Sequence, residues 1–342
     1  MTDAEGGELD AEFAAVVESF AETGLPPWHS MAVDAARRLE DELFGAGGGP
    51  EMTTVRDFAV EGSGDGAESG EHSIPVRAYR PTARQQRDAG VEGDPGVLVF
   101  AHGGVFVLGT LDSADDVCRE LAARTGRVVL SVDYRLAPEH PFPAAVDDAF
   151  AVVEWAREHA DAFGADTERV GVAGTSAGGG ITAATALRAG HAGVDLDVQV
   201  LLYPMLSAES AFDGPSAPTD DGRRASYDEH DDAALLSTAD VAWGWRHYLR
   251  SPVDAHNPFA VPLGAPERLL ADAPPAVVAT AGVDVLRDEA AAYVDALADA
   301  SVPVTHAHYP TLAHGFCSVV DEVALAADAF DEVADAVDDI VR

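Results

Sequence analysis

A serine at position 176 lies where an apolar run gives way to a helical pattern. The segment GTSAG at 174–178 follows RVGVA and precedes a glycine- and alanine-rich stretch with apolar residues at helical spacing. In the G-x-S-x-G pattern such a serine occupies a sharp strand-to-helix turn that exposes its hydroxyl. A glycine-rich helix start without catalytic function would give the same letters. Because the strand and helix patterns flank the motif on the expected sides, Ser176 is the candidate nucleophile.

The candidate nucleophile needs a base to take its proton and an acid to orient that base. Both partners are expected after the serine, in the order aspartate and then histidine. Asp284 follows the apolar run AVVATAG, and His314 follows the last β-rich run of the chain. Asp288 is an alternative acid, although its position at a helix start explains it as a cap. His306 and His308 lie inside the last run and are interpreted as structural.

The stretch VLVFAHGGVFVLG at 97–109 ends a strand pattern with a histidine and two adjacent glycines. Acyl transfer passes through an oxyanion that needs backbone N–H donors, and glycine lets a loop turn to present them. His102, Gly103 and Gly104 are therefore predicted to form an oxyanion loop, with His102 as its stabiliser rather than as a second base. The N–H group of Ala177, directly after the serine, is predicted to be the other donor.

β-rich runs alternate with helical stretches along most of the chain. The runs are mostly apolar without interruption, which is typical of parallel strands covered on both faces. The pattern predicts an α/β fold with a mostly parallel central sheet and helices on both faces. The strand-like runs lie at 96–103, 127–135, 169–176, 198–204, 276–282 and 304–310, and the helical stretches at 112–126, 143–164, 178–190, 288–300 and 321–341.

Two segments depart from this alternation and are predicted to cover a pocket. Residues 1–45 have the pattern of two amphipathic helices broken at 23–30, and residues 205–270 are too long for an ordinary connection between strands. The expected organisation is a helical cap at 1–45, a catalytic core at 46–204 and 271–342, and an inserted lid at 205–270.

Within the insert, the aromatic residues Trp243, Trp245 and Tyr248 could line a pocket, but their spacing is more typical of plain core. Acidic glycine- and serine-rich letters predict a loop at 61–72, and polar letters predict another at 84–95.

The charge of the chain is extreme for a globular protein. There are 60 Asp and Glu residues against 21 Arg and no Lys, which leaves a net charge of −39 spread along the whole length. Such a surface resembles those of proteins adapted to saturating salt, where screening weakens self-repulsion. An ordinary acidic protein is the alternative. In either case the negative surface would repel the phosphates of a nucleic acid, so nucleic acid is not an expected partner.

Several observations predict a cytoplasmic protein without membrane association. The opening residues MTDAEGGELDAEF lack the basic and apolar regions of a secretion signal. No apolar run approaches the roughly 20 residues of a membrane helix. Cys118 and Cys317 lie far apart in sequence and suggest neither a disulfide framework nor a metal site.

Four motifs resemble one branch of a known family. HGGVF at 102–106, DYRLAPEHPFPAA at 133–145, GTSAGG at 174–179 and DVLRDE at 284–289 with the later HGF are similar to the hormone-sensitive-lipase-like α/β-hydrolases. The resemblance extends over roughly residues 75–340 and implies a carboxylesterase acting on short to medium acyl esters, without metal or organic cofactor. Homo-oligomers are common among such relatives, and the sequence leaves this state open.

The resemblance also implies roles for individual residues. Ser176, Asp284 and His314 would form the catalytic triad, and the His-Gly-Gly loop with Ala177 would form the oxyanion hole. Glu139, in the motif DYRLAPE, matches a position that supports the nucleophile region.

Three positions depart from the family pattern. Val105 replaces a common third glycine, Thr175 replaces the aspartate before the serine, and Thr311 replaces a glycine three residues before the histidine. The N–H of Val105 can still donate to an oxyanion, but its φ angle is more restricted and the acyl pocket narrower. No reacting group is lost.

Three other functions are compatible with parts of the sequence. An amidase or deacetylase would use the same triad on a C–N bond. A non-catalytic small-molecule-binding member of the fold is disfavoured because all three triad residues are present. An interfacial lipase is disfavoured by the acidic surface and the lack of an apolar anchoring helix.

Overall fold

The computed structural model describes residues 7–45, 48–62, 72–212, 225–231 and 235–342. Most of the acidic loop predicted at 61–72 and much of the polar part of the insert lie outside these described residues. Among the described residues, none of the helices combines the length and the apolar character needed to span a bilayer. The cytoplasmic location stays a prediction.

In the described part of the chain, a mixed sheet of eight strands forms the centre of the fold, in the order β1-β2-β4-β3-β5-β6-β7-β8. Strands β3 to β8 run parallel to one another, which confirms the predicted mostly parallel α/β fold. The strands are β1 Thr54–Gly62, β2 His72–Arg80, β3 Val97–Ala101, β4 Val128–Val132, β5 Val170–Thr175, β6 Gln199–Leu202, β7 Ala276–Val283 and β8 Val304–Ala313.

The first two strands are absent from the sequence-based strand list. They pair with each other antiparallel, and β2 continues antiparallel onto β4. Strand β1 lies at the edge of the sheet and is exposed along most of its length. Because its sequence contains charged residues, β1 is not recognised by a search for continuous apolar runs. Strands β3, β4 and β5, in contrast, are buried at every position.

Helices follow most strands and cover both faces of the sheet. Helices α5, α6 and α11 pack on one face, and α4 and α12 pack together on the other. The helices are α1 Ala11–Glu22, α2 Val33–Phe44, α3 Ala83–Asp88, α4 Asp115–Thr125, α5 Ala144–His159, α6 Ala177–Ala192, α7 Glu209–Phe212, α8 Ala225–Glu229, α9 Thr238–Tyr248, α10 Glu267–Leu270, α11 Arg287–Asp299 and α12 Ala324–Val341. Short 3-10 turns are at Trp28–Ser30, Ala160–Phe163, Asp254–His256, Pro262–Gly264 and Phe316–Ser318.

Helices α1 and α2 lie within the segment expected to be a cap. Asp10 caps α1 by accepting from the N–H groups of Glu12 and Phe13 at 2.9 and 3.2 Å. The chain before α1 is fixed to the last strand, since Gly7 N donates to the Pro310 carbonyl and Asp10 N to the Thr311 carbonyl, each at 2.8 Å. The division into cap, core and lid stays a prediction.

Candidate active site

Ser176 lies in the sharp turn between β5 and α6. Its φ of 53° and ψ of −121° fall outside the ordinary regions for a residue with a side chain, which is the strained turn that the motif predicts. The glycines beside it allow the close approach. A Cβ on Gly178 would lie 2.1 Å from the Ala101 carbonyl oxygen, and one on Gly174 would lie 2.4 Å from the Gly178 carbonyl oxygen.

Three of the predicted site residues form a hydrogen-bonded row. The His314 Nε2 atom lies 3.0 Å from Ser176 Oγ, and His314 Nδ1 lies 2.8 Å from Asp284 Oδ2. Asp284 is only 1% exposed, and its other oxygen accepts from the Leu286 N–H at 2.9 Å. A carboxylate accepts hydrogen bonds, so Nδ1 carries the ring proton and Nε2 is left to accept from the serine hydroxyl.

The alternative candidates lie elsewhere. Asp288 accepts from the Arg287 side chain at 2.7 Å and from the Ser226 N–H at 2.8 Å, so it holds part of the insert. His306 and His308 each lie 2.9 Å from Thr280 Oγ1, in the sheet.

The loop after β3 turns tightly next to Ser176. The φ angles of Gly104, Val105 and Phe106 are 112°, 48° and 67°, so two residues with side chains share the left-handed region. The Gly104 carbonyl accepts from the N–H groups of Val107 and Leu108 at 2.9 and 2.8 Å. A Cβ on Gly103 would lie 3.3 Å from Ser176 Cβ, so this backbone approaches the serine closely. Ala177 begins α6, where an N–H has no intrahelical acceptor.

His102 supports this loop from inside the protein. Its Nδ1 atom lies 2.8 Å from the Gly103 carbonyl oxygen, its ring stacks on Tyr134 at 4.2 Å, and its carbonyl accepts from the Tyr134 hydroxyl at 2.8 Å. Burial lowers the pKa of His102 to about 4, so the ring is neutral at pH 7. These contacts match a stabilising role rather than that of a second base.

Glu139 lies at the surface beside α2, and its expected support of the nucleophile region stays a prediction. Its side chain is half exposed and pairs with Arg37 of α2 at 2.8 and 2.9 Å. This hydrogen bond lowers the pKa of Glu139 to about 2. Arg37 also donates to the carbonyls of Val107 and Ala137, each at 2.9 Å. Glu139 therefore anchors α2 over the end of the loop after β3, because its turn lies at the surface facing that helix.

Aromatic residues of α9 pack against the loop after β3. Phe106 stacks on Tyr248 at 4.1 Å between ring centroids and lies 4.7 Å from Trp245. These two residues and Trp243 do not line the described cavity, which agrees with their interpretation as core. A Cβ on Gly244 would lie 2.5 Å from the Val105 carbonyl oxygen, so the helix backbone itself contacts the loop.

A cavity of about 630 Å³ opens onto Ser176 and His314. We call the residues of segments 7–45 and 231–240 that line it the roof. His29 of the first segment contacts Asp240 of the second and so joins the two parts of the roof. The backbone N of His29 lies 2.9 Å from Asp240 Oδ1, and its Nδ1 atom lies 2.8 Å from the same oxygen. Most of the lining is apolar, with roof residues Val16, Phe20, Leu25, Leu39, Leu43, Phe44, Leu235 and Leu236 facing core residues Phe100, Val105, Leu108, Val117, Tyr203 and Val319.

The sequence-based search missed several polar residues of this lining, among them Asp240 and Glu40. Glu40 is only 8% exposed. It lies four residues after buried Ala36 in α2, so the two share one helix face. A count of helical positions could have placed Glu40 on the inner face, although an acidic letter argues against burial.

Comparisons with known proteins agree with this architecture. The family model for the alpha/beta hydrolase fold matches residues 98–318. Esterase LipI of Mycobacterium tuberculosis is 40% identical over 282 residues, which cover 82% of this chain and 80% of that protein. Ethyl acetate hydrolase of Pseudomonas putida is 33% identical over 321 residues, which cover 91% and 93% of the two chains. The solved hyperthermophilic esterase of the archaeon Pyrobaculum calidifontis has a TM-score of 0.82 and 31% identity, over 98% of this chain and 100% of that chain.

Proposed function

Because the chain belongs to the hormone-sensitive-lipase-like branch of the α/β-hydrolases and is a serine hydrolase of the carboxylesterase type, we propose that it cleaves short to medium acyl esters with Ser176 as nucleophile. The single observation that carries the proposal is the row in which His314 lies 3.0 Å from Ser176 Oγ and 2.8 Å from Asp284. The acyl range follows from the resemblance and from a largely apolar cavity of about 630 Å³.

In the proposed mechanism, Ser176 Oγ attacks the carbonyl carbon of the ester while His314 Nε2 takes the hydroxyl proton. Asp284 stabilises the imidazolium that results. The N–H groups of Gly103, Gly104 and Ala177 stabilise the negative charge on the former carbonyl oxygen, with Val105 as a further candidate donor. Collapse of the tetrahedral intermediate transfers the proton to the leaving alcohol and leaves an acyl-serine. Water, activated by His314, then releases the carboxylic acid and restores Ser176.

The test is hydrolysis of a p-nitrophenyl ester series, from acetyl to long acyl chains, by the wild type and by Ser176→Ala. Loss of a triad serine removes several orders of magnitude of turnover. Ser73→Ala, at an exposed position of β2, is the matched control and should keep full activity. Wild-type turnover in Ser176→Ala would refute the assignment. Matched ester and amide substrates distinguish an esterase from an amidase, which should cleave the amide comparably.

We propose in addition that the protein is adapted to molar salt. The proposal rests on a net charge of −39, with no lysine in the chain. Salt screens the repulsion among exposed carboxylates, so the melting temperature should rise steeply between dilute buffer and molar potassium chloride. Circular dichroism at several salt concentrations measures this. A melting temperature that is flat across the range would identify an ordinary acidic protein.

A further inference from the structure

The imidazole ring of His314 is packed against an aromatic side chain from another strand end. Tyr203, in the turn after β6, contacts it with ring centroids 4.9 Å apart and ring planes at 63°. Tyr203 is buried and also packs on Phe316, two residues after His314, with centroids 5.1 Å apart. Its hydroxyl group reaches the side chain of Cys317. The tyrosine is therefore fixed against the segment that carries the candidate base.

The backbone around Tyr203 is hydrogen-bonded to the nucleophile turn. The Leu202 carbonyl accepts from the Ser176 N–H, and the Met205 N–H donates to the Ser176 carbonyl, each at 2.9 Å. Between these two contacts Tyr203 has a φ of 40°, which a residue with a side chain adopts only where its surroundings hold it there. One short segment thus contacts Ser176 through its backbone and His314 through a side chain.

This contact matters because the hydrogen bonds of His314 change during acyl transfer. In the free protein its ring lies between Ser176 Oγ and Asp284 Oδ2, at 3.0 and 2.8 Å. Once the serine is acylated, Oγ no longer donates, and Nε2 gives its proton to the leaving alcohol and later takes one from water. The hydrogen bond to Asp284 then holds only one end of the ring. The packing of Tyr203 is the same in every step, so it keeps the other end in place.

We propose that Tyr203 is a positioning residue, whose ring holds the imidazole of His314 in the orientation in which Nε2 faces Ser176 Oγ. The inference rests on the proposed function, in which His314 is the base. Tyr203 also lines the cavity, so its replacement changes the space for the substrate as well. These two effects have to be separated by experiment.

The first measurement compares Tyr203→Leu in two backgrounds, with kcat for a p-nitrophenyl ester as the readout. Leucine keeps an apolar side chain at the cavity wall and removes the ring. In the otherwise wild-type protein kcat should fall roughly 10- to 100-fold, since small displacements of a catalytic group have effects of this size. In a His314→Ala background no imidazole is left to position, so Tyr203→Leu should change the residual kcat little. Equal losses in both backgrounds would assign Tyr203 to substrate contact or to general stability, and would overturn the inference.

Two further variants separate the ring contact from lost packing. Tyr203→Phe keeps the ring and should retain most of the wild-type kcat. Tyr309→Leu is the matched control, because Tyr309 is a buried tyrosine of the same hydrophobic cluster and also contacts Phe316, at 5.5 Å. It should leave kcat near the wild-type value. A loss in Tyr203→Phe or in Tyr309→Leu as large as that in Tyr203→Leu would contradict a role of the Tyr203 ring.

Proton NMR of the protein without substrate separates this inference from the proposed function. The Nδ1 proton of His314 donates to Asp284 and resonates far downfield while the ring is held, so its signal is expected in the wild type and in Tyr309→Leu. The signal should broaden in Tyr203→Leu, where the freed ring exchanges this proton with water. Such broadening supports the role of Tyr203 even if the wild type cleaves no ester. An equally sharp signal in Tyr203→Leu overturns that role, whatever the turnover.

Discussion

Val105 offers a direct test of backbone strain in the loop after β3. Its φ of 48° places a β-branched residue in the left-handed region, and the residue is only 4% exposed, in contact with α9. Shortening the side chain to alanine removes two buried methyl groups. At ~0.8 kcal/mol for each group plus a cavity term, Val105→Ala should lower the free energy of unfolding by about 2 kcal/mol.

The informative comparison is the next step, from alanine to glycine. At a buried position with ordinary φ this step costs about 1–2 kcal/mol, from backbone entropy and the lost methyl. Ala101→Gly in strand β3, where the alanine is 3% exposed, measures that ordinary cost. At position 105, glycine also avoids the cost of roughly 1–2 kcal/mol that a residue with a side chain has in the left-handed region. The two terms offset, so Val105→Gly should be about as stable as Val105→Ala.

Urea unfolding in molar salt, followed by circular dichroism, gives the free energy of unfolding of the wild type and of Val105→Ala, Val105→Gly and Ala101→Gly. The same slope of free energy against urea should be found for all variants, since none changes the surface exposed on unfolding by much. If Val105→Gly falls below Val105→Ala by the amount that Ala101→Gly costs, the strain at position 105 is absent and the reasoning fails.

Three further predictions concern the contacts around the site. Burial raises the pKa of Glu289 to about 8, above its ordinary 4.5, so the stability that this group contributes is complete below pH 4.5 and is lost as pH rises towards 8. The urea midpoint of Glu289→Gln, measured at several pH values, should therefore depend less on pH than that of the wild type. An unchanged pH dependence would contradict this. Arg37→Met should lower the free energy of unfolding by about 2–3 kcal/mol, since Arg37 also donates to two backbone carbonyls. Glu139→Gln changes only a half-exposed ion pair and should lower it by less than about 1 kcal/mol. Equal losses in urea unfolding would show that the hydrogen bonds to the carbonyls contribute nothing. His29→Ala removes the side-chain contact with Asp240 and should speed limited proteolysis within residues 23–32. Glu22→Ala, at an exposed position, is the control and should be cleaved at the wild-type rate. Identical cleavage rates in the two variants would count against a contribution of the His29 contact to the roof.

The parallel part of the fold could be predicted because its strands are buried on both faces. Such strands have continuous apolar letters, and β3, β5 and β7 are examples. Strands β1 and β2 could not be recognised by that criterion. In β2 buried and exposed positions mostly alternate, and β1 is an exposed edge, so polar letters interrupt both strands.

The positions of the three candidate catalytic residues were predictable for a related reason. Ser176, Asp284 and His314 each follow the carboxyl end of a parallel strand, and such ends meet at one edge of the sheet. The contacts of Glu40 and Glu139 were not predictable in the same way. Both depend on where α2 lies over the loop after β3, which is set by packing between segments about 70 to 100 residues apart.

The fixing of the first described residues to the last strand has a consequence for biosynthesis. Gly7 and Asp10 hydrogen-bond to carbonyls about 300 residues later, and Phe13 is buried in one cluster with Phe316 and Phe330. At a synthesis rate of about 5–20 residues per second, α1 waits roughly 15–60 s for these partners. Long loops cost little additional closure entropy, so the delay is kinetic rather than a penalty on the finished protein. Helix α1 is therefore expected to dock last, and the cavity that it lines to be completed only after these late partners have been synthesised.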